Sequence, residues 1–380
     1  MAPPAFEPLH SLDDVEAAQW NALCGTHNPF LRHEFLAALE HSGCASPETG
    51  WQAAHWVLRD ERGLLAALPA WLKSHSWGEF VFDQSWAQFQ QRLGRPYYPK
   101  LLVAVPFSPV TGARLLVRRD HLREELAPDL ALLLQQLVLA NDLSSAHVLF
   151  VDDVDRQVLQ QGGWLLRRDC QFHWHNQGYA DFEAYLATFT AEKRKKTRRE
   201  RRRCEEAGIT FQTLSGSQLT PDLLDIVYDL HAGTFRQRGN EPYLNRAFFA
   251  EIARTLGEAL MVKLALRAGE PVATAVFFWS REALYGRYWG AKADFHSLHF
   301  ECCYHQGIEF CIAQGISRFE PGTQGEHKVS RGFAPQYTWS AHWLADPRLR
   351  AAVADFLQRE SDAVQAYAEE VDTHTPFRRS

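Results

Sequence analysis

Residues 260–290 have the sequence LMVKLALRAGEPVATAVFFWSREALYGRYWG, which contains three β-strand patterns in close succession. Apolar, β-branched and aromatic residues dominate each run, and Ala268-Gly269-Glu270 provides a tight turn between the first two. Short connections of this kind join antiparallel neighbours, so the pattern predicts an antiparallel meander. The predicted strands are Leu260–Arg267, 271–280 and 283–290.

The elements around this meander follow the order two helices, meander, helix and strand, and the first half of the chain repeats that order. The helix after the meander ends at Gly315, a residue type that suits the left-handed position beyond a helix. In the second half we predict helices at Pro221–Arg236, 245–256, 298–314 and 347–371, and further strands at 209–214, 316–320 and 337–344. In the first half we predict helices at 13–24, 30–41, 121–141 and 155–161, and strands at 52–59, 64–73, 79–82, 100–105, 114–117, 146–151 and 164–175.

A chain of 380 residues with 46% hydrophobic and 23% charged residues is long and apolar enough to bury two cores. We therefore expect two domains, at residues 1–178 and 208–380, and a basic connecting helix at 179–207. The formal net charge is −6. A uniformly basic, nucleic-acid-coating protein is therefore disfavoured, and any polyanion must be met by a local patch.

Seven cysteines are present, none forms a Cys-x-x-Cys pair, and Cys302 and Cys303 are adjacent. This pattern suits neither a zinc site nor a disulfide framework, so we expect no metal and a reducing, cytoplasmic location. The N-terminus lacks the basic and apolar regions of a signal peptide. The most apolar window, residues 130–140, is too short to span a bilayer, and we expect no integral membrane segment.

Residues 192–206, EKRKKTRRERRRCEE, carry nine basic side chains between Lys193 and Arg203 without glycine or proline, and predict a helix. Such a positive stripe suits the phosphates of a nucleic acid, and tRNA is the candidate partner. The alternative is a solvated linker helix whose arginines pair with acidic residues elsewhere. The candidate nucleic-acid-binding residues are Lys193, Arg194, Lys195, Lys196, Arg198, Arg199, Arg201 and Arg202.

Residues 319–333, FEPGTQGEHKVSRGF, place a polar loop with three glycines directly after an apolar strand. Glycine allows a backbone to approach a ligand closely, and Glu320, His327 and Lys328 could orient or deprotonate an amine. The alternative is an ordinary polar surface loop. We take Glu320, His327 and Lys328 as candidate catalytic residues and Gln324, Glu326 and Arg331 as candidate substrate-binding residues.

Three further groups are candidates for substrate binding. Strand alternation predicts that Tyr285, Arg287 and Trp289 share one face of the sheet. An arginine between aromatic rings would anchor an anion there. The alternative is a core strand with an ion-paired arginine. His299 and Glu301 begin a helix and lack the spacing of a zinc site, and a capping or core role is their alternative. In the first half, the candidate wall of an acceptor pocket comprises Lys73, His75, Tyr97, Tyr98 and Lys100, with ordinary loop packing as its alternative.

Together, nine strings resemble the FemAB-like group of the GNAT acyltransferase superfamily, described as peptidoglycan biosynthesis/recognition proteins. They are NPFL (28–31), KSHSWGEFVFD (73–83), YYPK (97–100), PFSPVTG (106–112), QFHW (171–174), KRKK (193–196), YGRYWG (285–290), HFE (299–301) and QGEHK (324–328). The resemblance implies an α+β fold of tandem GNAT-like domains, each a mixed, mostly antiparallel sheet flanked by helices. It also implies that the basic helix corresponds to an interdomain helical segment of the Fem transferases, and that Lys328 matches a lysine of those enzymes.

The Fem transferases pass an amino acid from aminoacyl-tRNA to an amine of a cell-wall precursor, so the resemblance implies an N-acyltransferase. The acceptor would be a peptide, an amino acid or such a precursor, and no cofactor beyond the acyl donor is expected. We assign phosphate contact to the basic helix and Arg287, base catalysis to Glu320 or His327, and acceptor or oxyanion charge to Lys328 and Arg331. An acyl-CoA donor is an alternative, although residues 290–299 lack the CoA pyrophosphate motif. A non-catalytic recognition protein is another, and the oligomeric state stays open.

Overall fold

The computed structural model describes residues 5–119, 121–293, 295–323 and 325–378. The fold is of the predicted α+β class, with mixed and largely antiparallel sheets flanked by helices. The chain forms two compact units. Unit 1 comprises Met1–Asp169 and Tyr337–Gln365, and unit 2 comprises Cys170–Gln336 and Ala366–Ser380.

Both units are discontinuous, which differs from the expected division at residues 178 and 207. The difference arises because residues 339–344 hydrogen-bond to strand Ser145–Val151, with Ala341 opposite Val148 and His342 opposite His147. Residues 337–365 thereby join unit 1 although they lie late in the chain. An apolar alternation indicates a strand, but it does not indicate which neighbour the strand will pair with.

Unit 1 contains two sets of strands. The first set is antiparallel, in the order Phe6–Leu9, His55–Asp60, Gly63–Leu68 and Leu116–Val117. The second set runs from residues 339–344 through Ser145–Val151, Lys100–Val103 and Ala70–Lys73 to Trp51–Ala53. Among the described strand pairs of this set, Lys100–Val103 with Ser145–Val151 is parallel and the others are antiparallel. The helices are Ala17–Cys24, His33–His41, Gln84–Arg92, Arg123–Ala140 and Asp153–Gln161.

The core of unit 1 forms where helix Arg123–Ala140 packs against strands of both sets. Leu130, Leu134 and Val138 recur every four residues along the helix, and all three are buried in one apolar cluster with Val103 and Val148. The sequence predicts this helix within two residues at its start. The strand predicted at 79–82 is instead a loop, and helix Gln84–Arg92, which the sequence analysis missed, follows it.

Unit 2 contains the predicted meander. Its strands follow the order Ile209–Ser215, Leu260–Arg267, Glu270–Trp279, Ala283–Ala291 and Arg318–Glu320, followed by the end of Leu165–His175. All these pairs are antiparallel except Ala283–Ala291 with Arg318–Glu320. The helices are Phe182–Ala187, Ala191–Glu206, Pro221–Arg236, Arg246–Leu256, Leu298–Phe300 and Gln306–Gln314, with a π-helical turn at Glu301–His305 between the last two.

The remaining elements include one long helix, Pro347–Asp372, which begins in unit 1 and ends in unit 2. Strands Leu165–His175 and Ala334–Leu344 likewise cross the division along the chain. Short 3₁₀ helices lie at Leu12–Asp14, Pro29–Leu31, Pro47–Thr49, Gly216–Gln218, Gly257–Ala259 and Glu326–Arg331.

Gly290 lets helix Pro221–Arg236 pack directly on the sheet of unit 2. A Cβ at this position would lie 2.0 Å from the carbonyl oxygen of Leu230, a distance that no side chain tolerates. Glycine is therefore needed here for close approach between a strand and a helix backbone.

Candidate functional site

The parallel strand pair of unit 2 separates at its C-terminal end. The two strands are Ala283–Ala291 and Arg318–Glu320, and their last registered pair is Tyr285 opposite Glu320. The first strand continues beyond Tyr285 beside its antiparallel neighbour, whereas the second ends and the chain enters the glycine-rich loop, residues 321–333. Glu320 therefore lies where the two parallel strands part, and His327 and Lys328 follow in the 3₁₀ helix Glu326–Arg331 of the loop.

Arg287 is the extra residue of a β-bulge just beyond this fork. Its neighbours Gly286 and Tyr288 lie opposite Phe277 and Val276, two consecutive residues of the adjacent strand, and Arg287 is inserted between them. The predicted alternation is broken here. The expectation that Tyr285, Arg287 and Trp289 share one face was wrong, because the register turns Trp289 to the face opposite Tyr285.

Glu320, the last residue of its strand, is buried among three polar side chains. Its Oε1 accepts a hydrogen bond from Arg318 Nε at 2.9 Å, and its Oε2 lies 3.9 Å from Arg287 Nη2 and 4.0 Å from His173 Nε2. Burial lowers the pKa of His173 to about 4, so this imidazole is neutral at pH 7. The charge of Glu320 is therefore balanced by two arginines, which suits it to hold Arg287 in place.

Lys328 is a buried amine in the glycine-rich loop. Its Nζ donates a hydrogen bond to the carbonyl oxygen of Gly322 at 2.6 Å. Burial, assisted by the nearby charge of Arg287, lowers the pKa of Lys328 to about 7. Both protonation states are therefore populated near neutral pH, so that the side chain can either stabilise an oxyanion or accept a proton.

His327 is exposed and pairs with a tyrosine from the π-helical turn Glu301–His305. Its Nε2 lies 2.9 Å from Tyr304 Oη. Partial burial and then the charges of Arg331 and Lys328 lower the pKa of His327, so the ring is neutral at pH 7. π-Helical turns are often found at functional sites, and this one directs Tyr304 to a candidate base.

The other candidates of the loop differ in their surroundings. Arg331 is buried, with its guanidinium 3.5 Å from the centroid of the Phe300 ring and its Nη2 2.7 Å from Glu200 Oε1. Glu326 is exposed. Gln324 lies outside the described residues.

The inner face of the basic helix, Ala191–Glu206, is built into unit 2. Glu200 accepts hydrogen bonds from Arg331 and lies 3.2 Å from His305 Nε2, and all three side chains are buried. Burial by itself would raise the pKa of Glu200, but His305 and Arg331 together hold that pKa below its ordinary value. Sequence reasoning did not single out Glu200, the one acidic residue inside the basic run. The buried side chains of the helix are Thr197, Glu200 and Cys204.

Arg201 also faces inward, unlike the other predicted nucleic-acid-binding residues. It lies 3.3 Å from Glu301 and 2.8 Å from Glu309, and its guanidinium is 4.5 Å from the Phe182 ring centroid. Glu301, a candidate for substrate binding, is thereby engaged in a buried ion pair. The pair of Arg201 and Glu301 links the basic helix to the π-helical turn.

The outer face of the basic helix presents six exposed cations. Two of them pair with exposed carboxylates, Arg198 with Glu183 at 2.5 Å and Arg202 with Glu206 at 4.0 Å. Pairs this exposed contribute little stability and are screened by salt. Lys193 and Arg194 are half-buried, and the exposed cations are Lys195, Lys196, Arg198, Arg199, Arg202 and Arg203.

A cavity of about 410 Å³ lies between this outer face and the glycine-rich loop. Lys196, Arg199 and Arg203 form one wall, and His327 and Arg331 form another. Two candidate nucleic-acid-binding residues, Lys196 and Arg199, thus share one cavity of unit 2 with the candidate base His327, whereas Glu320 and Lys328 are not part of its lining.

His299 lies beside this cavity in an aromatic cluster. Its ring is 5.3 Å from that of Trp289 and 5.4 Å from that of Tyr304. Burial lowers the pKa of His299 to about 4, which makes it a neutral packing residue at pH 7.

The candidates of the first half come together in unit 1. Lys100 is fully buried, and its Nζ donates to Ser76 Oγ at 2.9 Å, to Glu79 Oε2 at 2.8 Å and to Asp83. Tyr97 donates to Asp83 at 2.7 Å. Sequence reasoning missed Glu79 and Asp83, although both lie in the quoted run KSHSWGEFVFD. The cluster satisfies the lysine internally and holds loop 74–83 in place.

Lys73, His75 and Tyr98 lie at the rim of this cluster. Lys73 Nζ lies 3.7 Å from the Trp51 ring centroid and donates to the carbonyl oxygen of Trp77 at 3.3 Å. Burial lowers the pKa of Lys73 to about 7. Tyr98 Oη is 2.7 Å from Ser76 Oγ, and His75 Nδ1 accepts a hydrogen bond from the Trp77 amide.

No helix among the described residues is both long and apolar enough to cross a bilayer. No group of three or more histidine, cysteine or carboxylate side chains is arranged for a metal ion among the same residues. The seven cysteines all lie among the described residues, and no disulfide links them.

Comparison with solved structures gives matches along almost the whole chain. FemX matches with a TM-score of 0.55 at 9% identity, covering 92% of this chain and 100% of that one. The C-terminal domain of a putative lysylphosphatidylglycerol synthetase from Agrobacterium fabrum matches with a TM-score of 0.54 at 12% identity, covering 93% and 98%. A tandem GNAT protein of the clavulanic acid biosynthesis pathway matches with a TM-score of 0.48 at 14% identity, covering 91% and 99%.

At 9% identity the likeness to FemX establishes the fold, which is tandem GNAT-like as predicted, and nothing about substrates. No protein of curated function matches the chain in sequence. A family model described as peptidoglycan biosynthesis/recognition matches residues 11–379. The chain therefore belongs to the FemAB-like family.

Proposed function

We propose that this protein is an N-acyltransferase that moves an amino acid from aminoacyl-tRNA to an amine acceptor. The observation that carries the proposal is the shared cavity of unit 2. One of its walls is an exposed cationic helix face, and another is the loop that follows the strand fork. A polyanionic donor held on Lys196 and Arg199 would have its acyl end beside His327.

The reaction needs little more than positioning, because the ester of an aminoacyl-tRNA is already activated. The acceptor nitrogen attacks the ester carbonyl carbon, a C–N bond forms, and the C–O bond to the ribose breaks. The ribose oxygen leaves with the electron pair and takes up a proton. In the proposed roles, His327 receives the amine proton, Lys328 stabilises the oxyanion, and Glu320 positions Arg287.

The first test is RNA that co-purifies with the protein at low salt, quantified by absorbance and identified by sequencing. The variant replaces Lys196, Arg198, Arg199 and Arg202 with Ala and keeps Arg201, which is needed for its contacts with Glu301 and Glu309. A control variant removes exposed arginines elsewhere in unit 2, at Arg254, Arg267 and Arg281.

Enriched tRNA that is lost in the helix variant and kept in the control would support the aminoacyl-tRNA donor. Absence of bound RNA from the wild-type protein at low salt, where phosphate contacts are strongest, would overturn it. An acyl-CoA donor, or a recognition protein without turnover, would then take its place. Ligand binding without acyl transfer over a broad donor screen would identify the latter.

A further inference from the structure

The cavity of unit 2 has the size and the charge of a site for one phosphorylated group. Its volume of about 410 Å³ falls within the ~300–1,000 Å³ typical of small-molecule sites. Lys196, Arg199 and Arg203 contribute three exposed cations to it. Glu200, which also lines the cavity, is paired with Arg331 and His305, so the cavity keeps an excess of positive charge.

The cations on the cavity side are less neutralised than the others on the same helix. Within the described part of the chain, no carboxylate lies at ion-pair distance from Lys196 or Arg199. Arg198 and Arg202, which directly precede Arg199 and Arg203 in the sequence, each have a glutamate partner. Since a phosphate competes with any existing carboxylate partner, the cavity side is the better anion site.

The rest of the cavity offers aromatic and hydrogen-bonding groups. Phe300 and the exposed His296 line it, and His296 lies 3.1 Å from Arg203 Nη1 and 2.7 Å from Ser297 Oγ. Aromatic rings beside basic residues are typical of sites that hold a base together with its phosphate.

We propose that this cavity binds a single phosphorylated nucleoside of the acyl donor. Lys196, Arg199 and Arg203 contact the phosphate, and the nucleoside lies against Phe300 and His296. The inference rests on the proposed function, because it takes the cavity as the donor side of the site. The 3′ end of a tRNA and the 3′-phosphoadenosine of CoA share this chemistry.

Binding of two probes separates these sources. One probe is an RNA minihelix that ends in CCA, and the other is adenosine 3′,5′-bisphosphate, each titrated by calorimetry or fluorescence at two salt concentrations. The cavity variant is Lys196→Ala with Arg199→Ala. The matched control, Arg254→Ala with Arg281→Ala, removes the same charge from exposed positions of unit 2 that lie outside both the basic helix and the cavity. Thermal unfolding of both variants checks that the helix stays in place.

The cavity variant should weaken binding of the probe that fits by about tenfold or more, whereas the control should weaken it by less than about threefold. For the minihelix, the cavity variant should also reduce the salt slope by about one to two units. Equal losses in the two variants would overturn the cavity assignment while leaving a tRNA donor intact. Cavity-dependent binding of the bisphosphate without binding of the minihelix would keep the cavity assignment and overturn the tRNA donor. Binding of neither probe would overturn the cavity assignment.

Discussion

The Glu200→Gln substitution tests whether the basic helix is part of the core of unit 2. Glu200 and Arg331 form an ion pair with side chains only 8% and 4% exposed. Gln keeps the shape and can still bond His305, but it leaves the guanidinium of Arg331 buried without a counter-charge. Breaking a buried pair in this way costs about 3–5 kcal/mol, and the retained hydrogen bond places the expected loss near about 3 kcal/mol.

The assay is urea unfolding followed by tryptophan fluorescence and circular dichroism. With m of roughly 1–3 kcal/mol/M, a loss of about 3 kcal/mol lowers the midpoint by about 1–3 M. Glu200, Arg331 and His305 all lie in unit 2, so the transition of that unit should move. The control is Arg198→Ala, which removes a pair whose side chains are 53% and 62% exposed and should cost about 0–1 kcal/mol.

A Glu200→Gln protein that unfolds within about 1 kcal/mol of this control would refute the reasoning. The basic helix would then be a solvated connector whose buried contacts carry no energy. A double-mutant cycle with Arg331→Met gives an independent value, since removal of both charges should restore much of the stability that either single change loses.

Three further outcomes are expected. Lys328→Met should raise the free energy of unfolding at pH 7 by up to about 4–5 kcal/mol, because burial lowers the pKa of this amine from 10.5 to about 7. This gain in stability should be full below pH 7 and vanish above pH 10.5. Unfolding curves recorded at several pH values measure it. Burial lowers the pKa of His147 to about 3 and that of His342 well below its ordinary value, so the unfolded chain binds more protons than the folded chain below pH 6.5. The free energy of unfolding should therefore fall with decreasing pH, by up to about 1.4 kcal/mol per pH unit for each histidine. His342→Phe should remove about half of that slope. Gly290→Ala should lower the melting temperature of unit 2 by overpacking, at a cost of about 1–3 kcal/mol, and an unchanged melting curve would show that helix Pro221–Arg236 does not pack on this strand.

Local sequence patterns predicted the elements whose signals lie within a few residues of one another. The meander of unit 2 follows from apolar runs separated by a two- or three-residue turn, and the basic helix follows from an uninterrupted run of good helix formers. The glycine-rich loop was also predicted as a site, because polar residues and glycines directly follow an apolar strand. The structure places Glu320 at the fork of two strands and His327 and Lys328 in the loop that follows, and their catalytic roles stay predictions.

Features that depend on distant partners could not be predicted in this way. The bulge at Arg287 depends on the register with the neighbouring strand, and one extra residue reverses the face of everything after it. The inward turn of Arg201 depends on Glu301 and Glu309, about a hundred residues away. The loop at 79–82 resembles a strand locally, but the burial of Glu79 against Lys100 overrides that preference.

Residues 337–365 belong to unit 1 but are synthesised long after its other residues, which has a consequence for folding on the ribosome. Strand Ser145–Val151 obtains one of its neighbours only when residues 339–344 have emerged, almost 200 residues later. At ~5–20 residues per second the nascent chain therefore carries an unpaired strand edge for roughly 10–40 s. Such an edge is a template for wrong pairing throughout this interval. A chain that terminates before residue 337 would leave the same edge of strand Ser145–Val151 without this neighbour.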